Sequence, residues 1–140
     1  MPTKAVPRSY GSKNRRGGAN LRFETLEPRV VLSGTPLITE FMASNSATIT
    51  DGDGDSSDWI EIHNPTAAQI DLAGWHLTDD SANLSKWTFP DLPQSVLDPG
   101  EYLVVFASGQ ATESYVDPGG SLHTDFKLSA SGEYLGLTDP

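Results

Sequence analysis

The sequence predicts an all-β sandwich over residues 36–140, preceded by a basic segment with no core of its own. Three observations carry that prediction. Beyond residue 35, short apolar-rich runs recur roughly every ten residues with turn-forming residues between them, the spacing expected of a sandwich. No stretch there shows the periodicity of an amphipathic helix. Charge also divides the chain. Residues 1–34 carry seven Lys/Arg against Glu24 and Glu27, a net +5, whereas residues 35–140 carry Lys86 and Lys127 against seventeen Asp/Glu, a net −15.

Residues 1–20 are rich in Pro, Gly, Ser and Arg and almost devoid of large apolar side chains, so they are expected to be disordered. Residues 21–34 form a second unit, in which Phe23, Leu26, Val30, Val31 and Leu32 give an amphipathic pattern interrupted by Pro28. Its apolar stretch is far shorter than the ~7–15 residues of a secretory signal. Arg15-Arg16 is followed by no sustained hydrophobic run, which argues against a twin-arginine signal.

The strand-like runs are Leu37–Met42, Trp59–His63, Gln69–Leu72, Trp75–Thr78, Lys86–Phe89, Tyr102–Ala107 and Tyr134–Thr138, with Ser95–Leu97 a shorter candidate. Asp51–Asp58, Asn64-Pro65, Gly74, Asp79–Asn83, Pro90–Pro93, Asp98-Pro99-Gly100 and Asp117–Gly120 separate them as turns. Ile60 and Ile62 share one face, with Trp59, Glu61 and His63 on the other. Trp75 pairs in phase with Leu77 and Trp87 with Phe89, which assigns both tryptophans to the core. Tyr102–Ala107 is apolar on both faces, the mark of a central strand covered on both sides.

Composition excludes several classes. An acidic body repels phosphate, so nucleic acid is not an expected partner. The chain lacks cysteine, hence disulfides and Cys-ligated zinc. No apolar run approaches the ~20 residues of a transmembrane helix.

The ordered motifs resemble the lamin-tail domain, an immunoglobulin-like sandwich of nuclear lamins and many bacterial extracellular proteins. They are Leu37–Ala43, Asp58–Asn64, Ile70–Asp79, Trp87–Pro90, Leu97–Ala107 and Ser131–Leu137. The resemblance covers residues 36–140. It implies a noncatalytic interaction or anchoring module whose partner is a protein or a cell-envelope component, with no catalytic residues and no obligate cofactor. The family pattern continues with further β-structure after Leu137, so the domain is expected to be truncated and to lack its last strand or strands. A complete domain with an exposed edge is the other reading. Leu26-Glu27-Pro28-Arg29-Val30-Val31-Leu32-Ser33 resembles the LEPR-XLL segment near the N-termini of large bacterial surface and secreted proteins, with Val31 in place of the first closing leucine. It implies export through Leu26, Glu27, Pro28, Arg29 and Leu32. The expected context is a secreted or cell-surface protein, of which this chain is the front part.

Two alternatives give the loops more to do. Asp51, Asp53, Asp55 and Asp58 alternate on a Gly-rich loop, suiting a hard cation, so weak Ca²⁺ binding is one expectation and a Ca²⁺-dependent hydrolase its extension. The EF-hand pattern fails: counting from Asp51 puts Ser56 at position 6 and Ile62 at position 12. The bland reading, a solvated acidic linker, is favoured. The second alternative is a carbohydrate-binding module, which requires Trp59 to be exposed beside an aromatic such as Tyr115. His63 and His76 fall on outward phases and His123 in a loop, with no HExxH or Gly-x-Ser-x-Gly, so no catalytic histidine or serine is expected.

Overall fold

The computed structural model describes residues 34–140. The disordered segment expected at 1–20 and all but the last residue of the export-like segment at 21–34 lie outside the described residues. Among the described residues nine strands form three sheets that close on one core. They are β1 (Leu37–Met42), β2 (Asp58–His63), β3 (Ile70–Asp71), β4 (His76–Thr78), β5 (Trp87–Thr88), β6 (Val96–Leu97), β7 (Tyr102–Ala107), β8 (Leu122–His123) and β9 (Gly136–Thr138). The largest sheet has the order β1-β2-β7-β8; the others are β5-β4-β9 and β3-β6. This is an all-β, immunoglobulin-like sandwich. No helix among the described residues is long and apolar enough to cross a membrane.

Alternation sets the rows of the large sheet. On its inner face Ile38, Ile62 and Leu103 lie side by side, as do Phe41, Ile60 and Val105, and Leu122 extends the second row into β8. All but Phe41, which stays 57% exposed on the edge strand, pack into one core with Leu77 and Trp87 of the β5-β4-β9 sheet and Leu72 and Leu97 around the small sheet. The Trp87 and Phe89 rings meet edge-on, with centroids 4.8 Å apart. A register shift between Ile38 and Glu40 makes Thr39 the extra residue of β1. Without this bulge, Phe41 would turn to the opposite face.

Several expected strands are shorter than the apolar runs. Gln69–Leu72 narrows to β3, Lys86–Phe89 to β5 and Tyr134–Thr138 to β9. The flanking residues fall outside the named strands, although Leu72 N–H still donates to the Ser95 carbonyl beside the β3–β6 pair. Trp75 packs against the core but is only half-buried, short of the burial its phase suggested. Strand β8, which the sequence reading missed, runs parallel to β7, so no hairpin announces it.

Candidate functional site

The outer face of the large sheet organises a second cluster. Met42, Trp59 and Phe106 form one row, and parallel pairing adds His123 beside Phe106. Two loops cover this row: the acidic connection from β1 to β2 and the long connection from β7 to β8. Trp59 is only 6% exposed beneath them, and its indole N–H has no hydrogen-bond partner. Its burial counts against a sugar platform built on Trp59.

The acidic loop is held by its own carboxylates. Asp51 is buried; its Oδ1 accepts the N–H groups of Asp53 (3.2 Å) and Asp55 (2.9 Å), and its Oδ2 accepts Ser57 Oγ–H at 2.7 Å. Asp58 accepts the Asn45 N–H at 3.0 Å, and the Asn45 side chain in turn donates to the carbonyls of Ile49 and Ser57. Asp53 accepts the Tyr115 hydroxyl at 2.9 Å, a bond that raises the phenol above its ordinary range. The four aspartates expected as Ca²⁺ ligands thus share a loop, but three of them accept hydrogen bonds from the protein itself. Among the described residues no three His, Cys, Asp or Glu side chains are placed to hold a metal together.

Asp117 joins the loops to the sheet. It is buried, and its Oδ2 accepts the Gly52 N–H at 2.6 Å and pairs with His123 Nε2 at 3.1 Å. Its Oδ1 accepts the Ser121 N–H at 2.8 Å. Burial works against ionisation, but these donors outweigh it and hold the carboxyl below its usual range. Only glycine fits at position 52: a Cβ there would meet the Gly119 nitrogen and lie 2.6 Å from Asp117 Cγ. An ionised Asp117 accepts a hydrogen bond from Nε2–H, and the tautomer that this bond selects leaves Nδ1 as an acceptor. Ser108 Oγ, just past β7, lies 2.8 Å from that nitrogen. The Tyr115 ring meets His123 edge-on, with centroids 5.3 Å apart.

Ser108, His123 and Lys127 border a cleft of about 460 Å³ between the acidic loop and the end of β7. The sequence reading left His123 in a loop and singled out no serine. The structure instead buries His123 on β8 at 2% exposure, between Asp117 and Ser108. One signal was available. The Asp117-Pro118-Gly119-Gly120 turn returns the chain so that Val116 faces Leu122, bringing Asp117 within reach of His123.

Elsewhere the outer face is open. Leu37, His63 and Tyr102 lie in one row across β1, β2 and β7, with Glu40, Glu61 and Val104 in the next. His63 and Tyr102 stack with centroids 4.2 Å apart and planes 12° from parallel, while Tyr102 stays 56% exposed.

The family model described as Lamin Tail Domain matches residues 33–140. No curated protein and no solved structure gives a significant match. The ordered motifs, the sandwich and this match over most of the chain agree: the chain belongs to the lamin tail domain family, whose immunoglobulin-like domains are typically noncatalytic interaction modules.

Proposed function

We propose that this domain is an interaction and anchoring module of a secreted or cell-surface bacterial protein, as the N-terminal part of a larger multidomain chain. Its partner is a protein or another component of the cell envelope. The observation that carries the binding role is the row of Leu37, His63 and Tyr102 on the uncovered sheet face. Aromatic groups that are exposed yet held by a stacked neighbour contribute contact area at low entropic cost, and such groups are enriched at interfaces. Glu40 and Glu61 in the adjacent row favour a partner with basic or hydrogen-bond-donating groups.

Export is supported by the resemblance of Leu26–Ser33 to the LEPR-XLL segment. The test is a photo-crosslinking residue at position 102 in the full chain, expressed in its native host, with position 91 on the pocketed side of the small sheet as control. The reading expects an envelope-fraction adduct at 102 and none at 91. Equal yields at both sites, or recovery of the chain in the cytosol alone, overturns it.

A further inference from the structure

We propose that Ser108 is a base-activated nucleophile that accepts the acyl group of an ester. The geometry is that of a nucleophile, a base and a group that orients the base. Ser108 Oγ is 2.8 Å from His123 Nδ1, and His123 Nε2 is 3.1 Å from Asp117 Oδ2. Both distances lie in the range that proton transfer requires. The ring is presented through Nδ1 rather than Nε2, which leaves the roles unchanged, because Asp117 fixes the proton on the opposite nitrogen. Asp117 is itself fixed by the Gly52 and Ser121 N–H groups, so it acts as a positioning residue.

Access distinguishes this serine. Asp117 and His123 are buried, whereas Ser108 is half-buried and borders the cleft. The oxyanion needs a positive partner. The N–H groups of Gly109 and Gln110 are already donated to the carbonyls of Phe126 and Thr124. Lys127 lies across an antiparallel bridge from Ser108, borders the same cleft, and makes no salt bridge among the described residues. Its aliphatic chain is held against Gly109, where an added Cβ would sit 3.1 Å from Lys127 Cε. In a cleft that four aspartates also line, Lys127 is the cation available to the developing oxyanion.

The step balances without a co-reactant. The Ser108 oxygen attacks the ester carbonyl as its proton passes to His123 Nδ1. The carbon–oxygen bond to the alcohol then breaks, and the imidazolium returns the proton to the departing alkoxide. An acyl-serine and a free alcohol result. The surrounding carboxylates favour an uncharged acyl group over an anionic one. An interaction module with such a serine would hold the acyl side of an ester-bearing partner covalently and release its alcohol side.

The experiment incubates the full chain with p-nitrophenyl acetate and locates the acetyl group by peptide mass spectrometry, with urea-unfolded chain as reference. The folded chain is expected to acetylate at Ser108 at least ~100-fold faster than the unfolded chain, the lower end of what a positioned base contributes. Ser108→Ala, checked for an unchanged melting temperature, is expected to release no burst of p-nitrophenol. Asp117→Asn is expected to lower the Ser108 rate and move the midpoint of its pH profile, which a purely structural role would not do. Acetylation of Ser108 no faster than that of the chain's other serines, or a burst that survives Ser108→Ala, overturns the proposal.

Discussion

The two faces of the four-stranded sheet are held together by different forces. The inner face, with Ile60, Ile62 and Val105, closes by apolar contact against Leu77, Trp87 and Leu97. The outer face, with Trp59, Phe106 and His123, lies under two loops tied down mainly by hydrogen bonds to Asn45, Asp51 and Asp117. The contrast explains the acidic loops. Their large apolar and aromatic groups are few, Ile49, Tyr115 and Val116, so buried carboxylates serve as anchors of the kind that leucines supply on the inner face. Loss of an inner side chain leaves a cavity, whereas loss of one outer acceptor orphans several donors at once.

The largest expected effect is therefore on the inner face. Leu77→Ala should cost about 3 kcal/mol, with both faces melting in one transition in urea. Asp117→Ala comes next, at about 2 kcal/mol, because it strands the Gly52 and Ser121 N–H groups and the His123 ring. A cost below about 0.5 kcal/mol by the same measurement would erase the contrast between the faces.

Acid sharpens the comparison. The Asp117 carboxyl is held below its ordinary value of 3.8, so the native state favours the charged form. The stabilisation is complete well above pH 3.8 and is lost as pH falls through the lower folded value. Melting curves below pH 4 should thus show the wild type losing its advantage over Asp117→Asn, while Leu77→Ala stays a constant interval below wild type.

Smaller effects mark where the outer face is open. Tyr102→Ala should change stability by less than about 0.5 kcal/mol, since the ring is mostly exposed, yet abolish crosslinking at its neighbour position 63. Calcium should leave the melting temperature unchanged, because both Asp51 oxygens already accept hydrogen bonds. A calcium-dependent rise would mean that the loop rearranges to ligate the ion.

Sequence and structure agree best where one strand carries its own evidence. The alternation of Ile60 and Ile62 against Trp59 and Glu61 places β2, and the doubly apolar run Tyr102–Ala107 places β7 at the sheet's interior. The phase of Trp87 with Phe89 correctly puts both in the core. The fate of Trp59 was less legible, because its phase pointed outward and its burial depends on loops with no periodicity of their own. Strand β8 has two residues and pairs in parallel, so neither alternation nor a hairpin marks it. The contacts of His123 follow from that pairing, which sets it beside Phe106 and near Ser108, fifteen positions earlier in the chain.

Native-state hydrogen exchange, read amide by amide in the wild type and Asp117→Ala, tests the two-face account most directly. The account predicts that Gly52 and Ser121 lose more protection in the variant than the global loss of about 2 kcal/mol, while Ile60, Ile62 and Val105 lose no more than that global loss. Equal loss at all five amides, or unchanged protection at Gly52 and Ser121, would contradict it.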